Sequence, residues 1–182
     1  MIKPYWWWNS VIPKNICEHI IKNANWDQKL NGQFSSNKGD IENNEVRKTE
    51  IVWTERLDLS ECILRTYITE ANKNADWNFA LTDIQSVQIG RYVDGGHYKF
   101  HKDEDLPSDK KIIRKLSAVL FLSDPEDYEG GAFEMQDFEM PFQKAPQGSI
   151  VIFPSYLTHR VTPVTSGERC TAVCWAIGPA LK

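Results

Sequence analysis

His101-Lys102-Asp103 places an imidazole and a carboxylate two positions apart, and side chains at that spacing in an extended segment leave the same face and can converge on one ion. His159 follows the apolar run Val151-Ile152-Phe153-Pro154-Ser155 and offers a second imidazole near the mouth of a strand. Two imidazoles and one carboxylate, with coordination positions left over, suit non-haem Fe(II). Such a site can bind a bidentate co-substrate and still admit oxygen. Arg169 comes ten positions after His159, and a guanidinium binds a carboxylate through two parallel hydrogen bonds, as the far end of a small dicarboxylate requires. Each residue alone is ordinary: a surface or core histidine, a turn aspartate, a solvated arginine. Together and in this order, in a chain with four histidines, they favour a metal site. A zinc hydrolase could use the same three ligands, but it would lack a positioned general base and leave Arg169 without a task.

Strands must hold these residues. From Asp83 onward short β-rich runs, at 84–93, 116–122, 132–136, 149–153, 159–161 and 171–177, are separated by Gly, Pro and Asp turns. Ahead of them the pattern is helical. Pro13 opens a helix carrying Ile16, Ile20 and Ile21. A second helix, over 59–75, sets Ile63, Leu64, Tyr67, Ile68 and Ala71 on one stripe, with Asp58 or Ser60 to cap it. Ile51-Val52-Trp53 starts a strand, whereas 31–50 is polar, contains Gly32 and Gly39, and reads as a long loop or flexible hairpin. The charged run 103–115 reads as a solvated loop, with a lid over a peptide as its functional alternative. Helices followed by many short strands imply an α+β domain whose helices cover one face of a two-sheet β-sandwich or jelly roll.

A chain of 182 residues with 41% hydrophobic side chains suits one domain, with helical support over 1–83 and a β core over 84–178. The net charge is −4 and the basic residues are scattered, which argues against a nucleic-acid partner. No apolar run approaches the roughly 20 residues of a membrane span, and Trp6-Trp7-Trp8 stands where a signal peptide needs an aliphatic core; a cytoplasmic protein is expected. At least one or two of those tryptophans should pack on the sheet. Cys17, Cys62, Cys170 and Cys174 form no Cys-x-x-Cys pair and read as small buried hydrophobes. His97 is a reserve ligand.

Three blocks resemble prolyl 4-hydroxylase-like oxygenases, and within them the bacterial PKHD-type hydroxylases. They are Arg91-Tyr92-Val93-Asp94-Gly95-Gly96-His97-Tyr98-Lys99-Phe100-His101-Lys102-Asp103, the stretch Leu116 to Gly131, and Gly148 to Ser155 continued by His159 to Arg169. The resemblance implies a double-stranded β-helix with Fe(II) held by His101, Asp103 and His159. It further implies 2-oxoglutarate with Arg169 on its distal carboxylate, O2 as oxidant, and ascorbate as an optional addition. The implied reaction is hydroxylation of a prolyl residue in a peptide or protein, with release of succinate and CO2. Another residue, a free amino acid, or a non-catalytic module of the same fold are the alternatives. Tyr92 corresponds to a tyrosine near the co-substrate and Trp175 to an aromatic lining the pocket. One departure is visible: some relatives carry a co-substrate-binding tyrosine around 119–121, and here Val119-Leu120-Phe121 has none.

Overall fold

The computed structural model describes residues 3–32, 34–36, 39–41, 43–104 and 111–180. In chain order the N-terminal elements are β1 (Trp6–Trp8), α1 (Lys14–Asn23), β2 (Leu30–Asn31), β3 (Phe34–Ser36), β4 (Gly39–Ile41), β5 (Arg47–Lys48), β6 (Glu50–Trp53) and α2 (Leu59–Asn74). The strands β7 (Asp83–Ile84), β8 (Gln88–Tyr92), β9 (His97–His101), β10 (Ile112–Phe121), β11 (Tyr128–Gly130) and β12 (Phe133–Met135) follow. Last come β13 (Ile150–Pro154), β14 (His159–Val161), β15 (Val164–Gly167) and β16 (Arg169–Pro179). The larger sheet has the order β1-β13-β10-β16-β8-β6-β2, with β7 also on β16; the smaller has the order β12-β14-β9-β5. The pairings are antiparallel, as a jelly roll requires.

Strand alternation explains why the core strands read as continuous apolar runs. On β16, Cys170, Ala172, Cys174 and Ala176 join the core under the helices, with Cys17 and Ile20 of α1 and Leu64, Ile68 and Ala71 of α2. The alternate residues Arg169, Thr171, Val173 and Trp175 line the cavity between the sheets. β10 and β13 divide the same way: Leu116, Ala118, Leu120, Ile150 and Ile152 face the helices, while Val119, Phe121, Val151 and Phe153 pack inside with Phe133 and Met135. A sheet covered on both faces needs no polar side, so its sequence shows little alternation.

The two helices lie where their periodicity places them. Pro13 stands at the N-cap of α1. Asp58 caps α2, accepting a 2.9 Å hydrogen bond from the Glu61 amide. Trp6-Trp7-Trp8 is an edge strand paired with β13, and Trp8 packs edge-on against Tyr67 while Trp7 meets Phe142.

Three expectations need correction. The 31–50 stretch includes a hairpin, β3 with β4, but also β5, which joins the smaller sheet with Arg47 opposite Tyr98. The charged loop ends sooner than 115, because β10 already begins at Ile112; the charges of Arg114 and Lys115 obscured a strand in which Lys115 is nonetheless buried. Residues 105–110, the rest of the supposed lid, lie outside the described residues. Cys62 is exposed, unlike the three buried cysteines.

Candidate metal centre

β9 and β14 pair so that His101 lies directly opposite His159, while Val161 lies opposite Tyr98. Three residues of β9 thus span what β14 spans in two, which makes a bulge of one extra residue. In a regular strand residues three apart point to opposite faces. The bulge cancels that alternation, and the Tyr98 ring stacks on His101 with centroids 3.4 Å apart.

Asp103 does not reach the site by strand alternation, because β9 ends at His101. Its loop is pinned instead by one carbonyl: the amides of Asp103 and Glu104 donate to Ser155 O at 3.0 and 2.9 Å. Its carboxylate then meets His101 Nε2 at 3.4 Å and His159 Nε2 at 3.6 Å. His101 Nδ1 lies 2.8 Å from Lys99 O and His159 Nδ1 lies 3.0 Å from Leu157 O. A carbonyl only accepts, so both Nδ1 atoms carry the proton and both Nε2 lone pairs point to the carboxylate side. All three ligand atoms fall within 4.8 Å of one another. Ligands ~2.1 Å from one ion at right angles stand about 3 Å apart, so a divalent metal fits with small side-chain movements.

Burial works against charge on Asp103, but His159, His101 and the Trp175 indole N–H outweigh it and hold the carboxyl well below the usual carboxylate range. The indole acts from outside strict hydrogen-bond geometry. Burial pulls His159 down to about 4, against the opposing pull of Asp103. At neutral pH the centre therefore sets a charged carboxylate beside a neutral His159, an arrangement that favours a cation. The linkage has a definite sign: His159 is depressed in the fold relative to an unfolded value near ~6.5, so protons favour the unfolded chain. The metal-free protein is expected to lose thermal stability as pH falls from 6.5 toward 4. A midpoint that stays flat by circular dichroism across that range would contradict a buried neutral His159.

Ser117 and Ser155 support the carboxylate from behind. Ser117 Oγ donates to Asp103 Oδ2 at 2.7 Å and lies 2.9 Å from Ser155 Oγ. Groups that orient a ligand typically change metal affinity by ~10–100-fold when removed. Ser117→Ala should weaken Mn(II) binding within that range in calorimetry, and unchanged affinity would limit the serine to packing. Nothing in the sequence marked Ser117, since it lies in an apolar run on β10.

Arg169 opens β16 directly opposite Tyr92 on β8. Its side chain is 2% exposed, and its Nε and Nη1 have no hydrogen-bond partner. The guanidinium lies over the rings of Tyr92 at 5.1 Å and Phe121 at 5.6 Å. A further aromatic, absent from the sequence reading, stands beside it: burial pushes the Tyr128 phenol up while the charge and hydrogen bonding of Arg169 oppose it. Gly131 makes room, because a Cβ there would come within 2.8 Å of Arg169 Cδ. Arg169 and the three metal-binding candidates line one cavity of about 200 Å³, with Tyr92 and Trp175 also in its wall. The pocket suits an anion that meets a metal at one end and a guanidinium at the other.

His97, the reserve ligand, is turned away and bonds Gly95 O and Glu45 O. Arg114, unmarked in the sequence, lies over the Trp175 ring at 3.9 Å and bonds Gln85. Among the described residues no helix is long and apolar enough to cross a membrane.

Residues 87–177 match the family model described as the 2OG-Fe(II) oxygenase superfamily. A PKHD-type hydroxylase of Aliarcobacter butzleri is 31% identical over 166 residues, covering 87% of this chain and 70% of that protein. One of Pseudomonas fluorescens is 41% identical over 92 residues, covering 48% of this chain and 41% of its own length, so the chain spans about two fifths of such relatives. The fold is shared with a viral collagen prolyl hydroxylase from Paramecium Bursaria Chlorella virus-1, at a TM-score of 0.76 and 20% identity over 97% of both chains. A Pseudomonas putida prolyl-4-hydroxylase shares it at a TM-score of 0.70 and 19% identity, over 95% of this chain and 91% of that one. The chain belongs to the 2OG-Fe(II) oxygenase superfamily and, within it, to the PKHD-type hydroxylases.

Proposed function

We propose that this chain is a cytoplasmic 2-oxoglutarate-dependent dioxygenase that hydroxylates a prolyl residue of a peptide or protein, working as one domain. The observation that carries the reading is the presence, in one cavity, of a two-histidine, one-carboxylate centre and a buried guanidinium with two partnerless nitrogens. When bound, iron(II) and 2-oxoglutarate supply the oxidising chemistry: one atom of O2 enters succinate, the other enters the substrate as hydroxyl, and CO2 leaves.

The chain's own residues bind, orient and exclude. His101, Asp103 and His159 present three ligands from one side and leave the cavity side open. Arg169 takes the far carboxylate in a fork that fixes the dicarboxylate's direction. Charge then balances: the metal's two positive charges and the guanidinium's one offset Asp103 and the two carboxylates of 2-oxoglutarate. Val119, Phe133, Val161 and Val173 wall the cavity with apolar surface and keep bulk water from the reacting end. The Tyr92 ring supports the guanidinium, and Trp175 lines the wall of the same pocket.

The test is succinate formation from 2-oxoglutarate by iron-loaded protein after O2 is admitted, with and without a pool of proline-rich peptides, against an Asp103→Ala control. Peptide-stimulated succinate with a mass gain of ~16 Da on peptide is the expected result. Binding of metal and 2-oxoglutarate with no succinate would turn the reading toward a non-catalytic module.

A further inference from the structure

The inner face of the larger sheet continues beyond the cavity. β6 pairs with β8 so that Ile51 lies opposite Gly90 and Trp53 opposite Gln88, and β2 adds Leu30 opposite Ile51. Leu30, Ile51 and Trp53 therefore extend the face that carries Gln88 and Tyr92, and all three border the same cavity as the metal-binding candidates. Ile51 is covered, but Leu30 is 56% and Trp53 46% exposed. The Trp53 ring lies 6.2 Å from that of Trp175, which itself acts on Asp103. An apolar leucine and indole left open to water, in line with a reaction site, form a surface that a substrate can cover. Leu30, Ile51 and Trp53 lie before residue 87, outside the part matched by the family model, so the shelf is a feature of this chain's N-terminal half.

We propose that Leu30 and Trp53 form a specificity shelf for the substrate and receive a bulky apolar or ring-bearing side chain two residues from the one that is hydroxylated. The spacing follows from geometry. An extended peptide advances about 3.3 Å per residue and returns to the same face every second residue. A residue held against Trp175, in the cavity wall shared with the metal-binding candidates, would thus place the side chain two positions along against Trp53, whose ring is 6.2 Å further on. A shelf that takes a second side chain beside the reacting one calls for a substrate of several residues, so the substrate class is a peptide segment. This inference rests on the oxygenase reading above and names its substrate class.

The experiment uses nonapeptides with a central proline and Gly, Leu, Phe or Glu two positions to either side, assayed by mass gain with the full chain. Calorimetric titration of 2-oxoglutarate into each protein reports the co-substrate pocket independently. The wild type should favour Leu or Phe over Gly on one side by at least about tenfold in kcat/KM, the lower end for covering one large apolar side chain. In Trp53→Ala that ratio should collapse to within about twofold, and Trp53→Phe should restore part of it. Hydroxylation with no flank preference, or a preference that survives Trp53→Ala, overturns the shelf and leaves the oxygenase reading in place. If 2-oxoglutarate binds but no peptide is hydroxylated, the peptide assignment and the shelf fall together. If 2-oxoglutarate does not bind at all, the oxygenase reading fails first.

Discussion

Asp103→Ala should lose metal binding by more than about a hundredfold, because removing a ligand exceeds the ~10–100-fold cost of removing a group that merely orients one. Turnover should fall in parallel. The fold should survive. The Asp103 carboxylate is held by Ser117 and faces two imidazoles, and the change leaves untouched the apolar side chains inside the sheets, Val119, Phe121, Phe133 and Phe153 among them. Deleting it leaves the two imidazoles and a serine still in reach of Ser155. Mn(II) calorimetry and a thermal melt make the measurement. Wild-type Mn(II) affinity in the variant would remove Asp103 from the centre, and a collapsed melt would show that the carboxylate serves the fold.

Arg169→Met should raise the 2-oxoglutarate requirement by about thirtyfold or more, since truncating one partner of a buried charge pair costs ~2–5 kcal/mol. The same change should leave the ligand-free protein as stable as the wild type, or more so. Burying a guanidinium with two partnerless nitrogens is unfavourable, and a methionine of similar reach removes that burden while filling the space over Tyr92 and Phe121. The combined result is diagnostic. In wild type already loaded with Mn(II), adding 2-oxoglutarate should raise the melting temperature further by mass action, and in Mn(II)-loaded Arg169→Met that further rise should shrink markedly at the same 2-oxoglutarate concentration. An unchanged ligand-induced rise would dismiss the proposed carboxylate contact.

Much of this was readable from the chain alone. Helical periodicity at Ile16 and Ile20 and at Leu64, Ile68 and Ala71 located both helices, because a stripe of apolar residues every three or four positions has one packing solution. The candidate ligands were legible by residue type and order. Their convergence was inferred for a different reason from the observed one: His-x-Asp suggested strand alternation, whereas Asp103 is positioned by the Ser155 carbonyl. Such a contact joins residues 52 positions apart and leaves no local pattern. β5 was hidden because two polar residues, Arg47 and Lys48, carry no alternation to detect. The start of β10 was hidden because Arg114 and Lys115 resemble loop residues until their cationic ends are seen over the rings of Trp175 and Phe79. Tyr128 escaped notice since its place beside Arg169 depends on the turn through Gly130 and Gly131, both at positive φ.

The extra residue in β9 gives this sequence room to change. Between Tyr98 and His101 there are two residues, Lys99 and Phe100, both exposed and seemingly expendable side chains. Substitutions there should be mild. Removing either one would leave Tyr98 and His101 two apart, a spacing that in a regular ladder keeps both on one face, with His101 still opposite His159 and Tyr98 opposite Val161. The register of the ligand strand is thus fixed by its partner, and the length of this segment can vary by one residue around it.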